Sequence, residues 1–445
     1  MRANRMILIL GLCEILCAGI ASAQEEPQPD FGYDLFHRNW AARDQISPAL
    51  GDGLGPFFNA RSCVACHNQG GSGGGGPAEH DVDLLTLTTI EARGLNADTD
   101  QFPPFELSKF RQDPTHPGLI DQSSVVVHRH HEGEVRNWAR PPQEKYEQMR
   151  ERWLGQDRVK ILGSFAAATS TPFGITGFAG NNTDRLVVVE RSQRNTPALF
   201  GAALIDAIPA ASLQKLANHQ NSRYPEISGR VAPGGGKFGW RGQTATLRQF
   251  VVGACANELG LQTEGNPQPK DFVTNTETDG FDMYEEQVTA LVNYVRSLEP
   301  PESEVPQDKK DRYVYERGRA HFNRAHCNAC HVAEIGAVAG IYSDLLLHDM
   351  GPGLSDPAAL SPSLSSRGYY GTANLIAVSD ESKQEWRTPP LWGVRHSAPY
   401  LHDSRAETIE AAILEHGGEA AGSAKFFQRL SGKARYELVT FVNSL

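Results

Sequence analysis

Cys63-Val64-Ala65-Cys66-His67 and Cys327-Asn328-Ala329-Cys330-His331 place two thiols and an imidazole at one spacing, twice over. Thiols three positions apart can add across the two vinyl groups of a haem, and the adjacent histidine can reach its iron. A lone copy could equally be a redox dithiol or half of a zinc site. Two copies, each with the trailing histidine and each in its own half of the chain, favour two covalently bound c-type haems. Cys63, Cys66, Cys327 and Cys330 are then the attachment points, and His67 and His331 the iron ligands.

The other cysteines fit that use. Of seven, Cys13 and Cys17 lie in an apolar run from Met6 to Ile20 that follows Arg2 and Arg5. Ala21-Ser22-Ala23 is a small-x-small cleavage pattern, so residues 1–23 read as a secretory signal peptide. Both of those cysteines follow leucine, which argues against a lipid anchor. Only Cys255 then remains outside the haem motifs, and an internal disulfide is excluded in the processed chain. No later segment has the ~18 uninterrupted apolar residues of a membrane span. The expected location is periplasmic or secreted, with the protein soluble after processing. The net charge of −11 gives no support for nucleic acid binding. It is compatible with a basic partner protein, though acidity alone is common.

The elements that must hold the two pentapeptides are themselves repeated. Thr196-Pro197-Ala198-Leu199-Phe200-Gly201 matches Thr388-Pro389-Pro390-Leu391-Trp392-Gly393. Trp240 stands six residues before Thr246-Leu247, as His402 does before Thr408-Ile409. Leu291–Leu298 matches Leu438–Leu445, and the apolar positions of both recur at helical spacing. Each half therefore runs from haem motif to Thr-Pro segment, helix start and closing helix. The expected fold is mainly α, with two cytochrome c-like domains arranged as a duplicated pair.

The halves differ in length. From His67 to Thr196 is 129 residues, but from His331 to Thr388 is only 57. The first domain, residues 24–300, thus carries a long irregular insertion at about 80–184, read as loops and short helices lying over the first haem. Strand signals are short, the best being Ser124–Val127 and Leu186–Val189. An acidic, proline-rich linker (301–307) leads to the second domain, 308–445, which opens with a helix from about Asp308 to Phe322. The run Gly70–Gly76 lacks the Gly-Lys-Ser/Thr ending of a phosphate loop and reads as a turn that passes close to the haem edge.

Leu54–Ser62, Leu347-His348-Asp349-Met350-Gly351, Glu385–Gly393, Tyr400-Leu401-His402-Asp403 and His416–Ala420 together resemble the bacterial di-haem cytochrome c peroxidase superfamily. The resemblance is to the branch called di-haem oxidoreductase or putative peroxidase, also labelled thiol oxidoreductase. It covers roughly residues 30–80 and 185–445.

That resemblance implies several roles. His416, fourteen residues after His402, takes the place of the distal ligand of the second iron, with Met350 as its main competitor. Glu258, in Cys255–Gly260, is similar to the distal glutamate that shuttles a proton on bound peroxide, although it lies two residues closer to the tryptophan than the family pattern has it. Trp240 aligns with the tryptophan between the haems. His80, His128, His130 and His131 could each cap the first iron at rest. The superfamily also binds calcium between the domains, near Ser397-Ala398-Pro399; Ser397 replaces the usual threonine, so calcium stays open. His402 reads as a residue that orients a ligand or propionate.

The expected function is an exported di-haem peroxidase-type oxidoreductase. Electrons would come from a small donor protein, a cytochrome or cupredoxin, enter at the C-terminal haem and reach the N-terminal one, where hydrogen peroxide is reduced. Two alternatives stay open: a di-haem electron carrier without substrate chemistry, or a haem oxidase acting on a protein or organic substrate.

Overall fold

The computed structural model describes residues 29–41, 51–91, 103, 106–120, 124–131, 143–155, 159–165, 168–171, 174–178, 185–269, 271, 280–356 and 383–445. The expected signal peptide lies outside them. Among the described residues, no helix is long and apolar enough to cross a membrane.

Two helix pairs frame the molecule. Helix α1 (Pro29–His37) packs on α3 (Glu285–Arg296), and α4 (Lys309–Arg324) packs on α6 (Gly432–Asn443). Each pair thus joins the segment before a CxxCH motif to the closing helix of the same half. Each crossing has a glycine at the point of closest approach. A Cβ on Gly32 would sit 2.2 Å from the Ala290 carbonyl oxygen, and one on Gly318 would sit 2.0 Å from that of Glu437. Any side chain there would push the helices apart. The opening helix of the second half begins where its cap predicts: the Asp308 carboxylate accepts from the backbone N–H groups of Lys310 and Asp311.

The internal repeat has the same local geometry in both copies. Gly201 and Gly393 take nearly identical left-handed conformations, φ 70° and ψ 13° against φ 67° and ψ 13°, which a β-carbon would penalise. Trp240 and His402 lie in matching turns closed by the bridges Phe238–Thr244 and Tyr400–Ala406. Thr246 and Thr408 then cap α2 (Leu247–Glu258) and α5 (Ile409–Leu414) through their hydroxyls.

The insertion corrects one expectation. Beside the expected short helices, Leu107–Gln112 and Gln143–Leu154, its described residues supply strands of a four-stranded antiparallel sheet. In spatial order the strands are β2 (Ser124–Val126), β1 (Val82–Glu91), β4 (Arg185–Arg194) and β3 (Val159–Phe165). The strands are not all short, since β1 and β4 pair over ten residues, from Val82 with Arg194 to Glu91 with Arg185. Helices dominate the rest of the described residues, with several two-stranded sheets among them.

Among the described residues, three apolar clusters form the core. The largest runs from α1 through α2 and α3 and reaches Ile341, Leu345, Leu346 and Trp392 in the second half. A second packs Phe57, Tyr146 and Trp153 against the sheet residues Leu85, Leu87, Val187 and Val189. The third holds Tyr315, Phe322, Phe427, Leu438 and Phe441 beneath the second CxxCH motif. Burying one such large apolar side chain stabilises the fold by about 1.5–3 kcal/mol.

Candidate functional site

Each CxxCH motif opens onto a cavity. Cys63, Cys66 and His67 line one of about 1010 Å³, mouth included. Cys327, Cys330 and His331 line another of about 2170 Å³. The histidines are oriented alike. His67 Nδ1 donates to the Gly74 carbonyl at 3.2 Å, and His331 Nδ1 donates to the Tyr342 carbonyl at 2.8 Å. A carbonyl only accepts, so the proton is fixed on Nδ1 and Nε2 keeps its lone pair for a metal. Burial pushes both imidazoles down to about 4, so they are neutral at physiological pH, as a ligand must be.

The thiols speak against a redox dithiol. Burial pushes Cys63, Cys66 and Cys327 up to about 12, whereas disulfide-exchange centres lower a thiol to generate thiolate. Cavity size, paired thiols and a neutral histidine with a free Nε2 fit a haem at each motif. The glycine run is the turn expected of it: the Gly73 N–H donates to the His67 carbonyl, and Gly76 to that of Thr196. A Cβ on Gly74 would lie 1.7 Å from the Gln69 carbonyl oxygen.

At the first cavity, Glu258 ends α2 and faces the same space as Cys63, Cys66 and His67. Asn59 Nδ2 donates to its Oε2 at 2.7 Å. Its Oε1 is buried and has no hydrogen-bond partner. Asn59 is itself held, because its Oδ1 accepts from the Arg129 N–H at 3.0 Å. Burial pushes the Glu258 carboxyl up to about 7; the Asn59 bond and the Arg129 charge only partly oppose it. Such a carboxyl is poised to exchange a proton near neutral pH.

Asn59 and Arg129 were not assigned roles from the sequence. Asn59 lies within the stretch Leu54–Ser62, and Arg129 sits among the histidines that drew attention instead. Phe57–Phe58 pair with His130–His131 and so fold that segment against the first motif.

Of the four histidines considered as caps, only His80 lines the first cavity, and its Nδ1 is buried without a partner. His128 Nε2 bonds the Asn257 carbonyl at 2.8 Å. His130 is exposed and stacks on Phe58, while His131 is buried against Phe57 and Tyr146. The last three are therefore engaged elsewhere.

At the second cavity, Met350 and His416 both join His331 in the lining. His416 Nδ1 donates to the Ala412 carbonyl at 2.7 Å, leaving Nε2 free. It lies close enough to His331 to contribute to keeping that ring neutral. His331 and His416 thus each have Nδ1 tied to a backbone carbonyl, and Met350 shares the same lining.

Trp240 lines both cavities, with its Nε1 donating to the Asn195 carbonyl at 2.8 Å. His402 lies in the second cavity's wall, stacked on Trp386 with ring centroids 3.6 Å apart. Burial pushes it down to about 3. Between the cavities, Arg194 makes a bidentate pair with Asp356, both contacts 2.9 Å and both residues buried. Arg241 lies over Trp386 and donates to the Asp356 and Lys383 carbonyls.

The segment Ser397-Ala398-Pro399 is tied to the first half through its backbone. The Ala398 carbonyl accepts from Gln69 Nε2 at 2.6 Å, and the Pro399 carbonyl from Asn195 Nδ2 at 2.7 Å.

Residues 333–445 match the model of a protein family described as "Di-haem oxidoreductase, putative peroxidase". The match contains the Leu347–Gly351, Glu385–Gly393, Tyr400–Asp403 and His416–Ala420 segments that carried the resemblance. No curated protein matches the chain. Among solved structures, a hydrazine synthase of Kuenenia stuttgartiensis is similar at 17% identity and TM-score 0.33, over 57% of this chain and 73% of that one. A MauG-like protein associated with microbial copper homeostasis is similar at 18% identity and TM-score 0.29, over 49% of this chain and 73% of that one.

Proposed function

We propose that this chain, whose C-terminal quarter carries the di-haem oxidoreductase signature, is an exported peroxidase-type enzyme with two covalently bound haems c. Two cytochrome c-like domains, residues 24–300 and 308–445 joined by the linker 301–307, would each carry one. The repeated helix crossing, glycine turn and threonine cap support that division. Cys63 and Cys66 would attach the first haem and His67 ligate it; Cys327 and Cys330 would attach the second, with His331 and His416 on its two faces.

The observation that carries the catalytic reading is the bare Oε1 of Glu258 in the first cavity. A haem held there would pass on the two electrons that, with two protons, convert hydrogen peroxide into two waters. Glu258 as carboxylate takes a proton from one peroxide oxygen and, as acid, returns it to the other, which leaves as water. Asn59 holds the carboxylate by Oε2 so that Oε1 does this work. The apolar side chains of Val251, Leu259, Leu291 and Val295 line the same space. Trp240, in the wall of both cavities, would shorten the route for electrons that enter at the second haem from a small cytochrome or cupredoxin.

His80 favours one second reading, in which the first iron is capped at rest or permanently and the protein only carries electrons. Visible and paramagnetic resonance spectra before and after peroxide separate the two. The enzyme reading expects the first iron to be open or to lose its cap and respond to peroxide, while the second stays six-coordinate. His416→Ala should then open the second iron alone. Two unresponsive six-coordinate irons with no turnover would mark a carrier.

A further inference from the structure

A buried group with no role in the account so far sits beside Cys330. His348 is 3% exposed. Its Nε2 lies 2.9 Å from Asp344 Oδ2, and its Nδ1 lies 2.7 Å from Glu419 Oε2. Carboxylate oxygens only accept, so both ring nitrogens carry protons and the ring is an imidazolium. Burial alone would neutralise it, but the flanking carboxylate of Asp344 outweighs that and holds it well above its ordinary range.

The surroundings fix this arrangement from both sides. Gln220 Nε2 donates to Asp344 Oδ2 at 2.9 Å and to the Ala329 carbonyl at 2.7 Å, which ties the carboxylate to the second CxxCH segment. The Leu346 N–H donates to Asp344 Oδ1. The Ser228 hydroxyl and the Asp349 N–H both donate to Glu419 Oε1. His348 Nδ1 lies 3.8 Å from Cys330 Sγ, and both His348 and Glu419 line the cavity of His331. Cys330, Asp344 and His348 are close enough together to hold a metal ion. Both imidazole nitrogens are already committed to carboxylates, however, and a Cys330 bonded to haem would no longer offer a thiolate.

We propose that His348 is a positioning residue that fixes a positive charge at the thioether edge of the second haem, and that the two carboxylates paired with it, Asp344 and Glu419, more than offset that charge, the three together setting the electron affinity of the site. The proposal rests on the reading of Cys327 and Cys330 as haem attachment points. A cation in a buried, low-dielectric wall stabilises the electron-rich reduced state, and an anion opposes it.

The test is a potentiometric titration of the holoprotein at pH 8, following each haem by its spectrum. Glu419→Gln keeps the hydrogen bond and removes a negative charge. It should shift the second haem toward reduction about tenfold, which is about 59 mV for one electron. His348→Gln removes the positive charge and should shift it about tenfold the other way. The first haem should not move in either variant. Opposed shifts confined to the second haem support the proposal; no shift, or shifts of the same sign, overturn it. Should His348→Gln fail to fold, the half-buried Glu419→Gln decides alone, by the presence or absence of its upward shift. A wild-type mass lacking the second haem would overturn the functional reading and this proposal with it, whereas unmoved potentials in a protein with both haems would overturn this proposal only.

Discussion

Glu258→Gln should lower peroxide turnover by about 10²–10⁴-fold, the range for losing a positioned general acid–base, while leaving the spectra of both haems in place. Glutamine can still accept the Asn59 hydrogen bond, so the wall of the cavity is kept and only the proton acceptor is lost. The pH profile gives an independent check. Burial pushes Glu258 up to about 7 from its ordinary 4.5, and the proton is taken by the carboxylate form. Wild-type turnover should therefore fall as pH drops through about 7, and the residual rate of the variant should lose that limb. The same shift has a stability consequence of known sign. Between 4.5 and about 7 the folded state binds a proton that the unfolded state has released, so this group's contribution falls as pH rises through that window. Denaturation of Glu258→Gln should lack that fall. A variant with wild-type turnover would show that the bare oxygen has no part in the reaction.

Asp356→Ala should destabilise the protein by about 3–5 kcal/mol, the usual cost of leaving one partner of a buried ion pair without the other. Arg194 and Asp356 are 2% and 1% exposed and share two parallel hydrogen bonds. Burial raises the Asp356 carboxyl, yet the charge and hydrogen bonds of Arg194, with His402 and Arg241 beside it, outweigh that and hold it well below the usual carboxylate range. A depressed carboxylate stabilises the fold above its unfolded-state pKa, and the benefit is lost only as pH falls through the folded-state value. The deficit of the variant should therefore be full at neutral pH and shrink in acid. Arg194→Met with Asp356→Leu removes both charges and should recover part of the loss. Chemical denaturation followed by haem absorbance measures all three. An Asp356→Ala midpoint equal to wild type would mean that the pair is not what joins the strand end at Arg194 to the second half.

What the sequence disclosed was mostly local. The pentapeptides, the threonine caps at Thr246 and Thr408 and the closing helices are set by residues within a few positions of one another, and the structure has each where its pattern puts it. Asp308 marks the start of α4 for the same reason. The sheet was harder. β1 alternates polar and apolar residues only loosely, through Asp83-Leu84-Leu85-Thr86-Leu87-Thr88, and its partner β4 lies about a hundred residues on. Pairing at that distance is chosen by packing against Phe57, Tyr146 and Trp153 rather than by any turn.

The sites divide in the same way. The two CxxCH pentapeptides are written in short motifs, and the resemblance pointed to Glu258, Trp240 and His416. The partners that give them their chemistry come from far away along the chain. Asn59 meets Glu258 across 199 positions, and Glu419 meets His348 across 71. No spacing rule links such residues, so only the folded chain shows that Glu258 has one oxygen held and one free. The amides of Gln69 and Asn195 likewise reach the Ser397–Pro399 turn from the first half.

Mass spectrometry of the intact protein, matured in a host that exports it and attaches haem, tests the central claim most directly. The account predicts a chain heavier by two haems, with one modified peptide spanning Cys63–His67 and the other Cys327–His331. A chain of bare polypeptide mass, or one carrying a single haem, would contradict it.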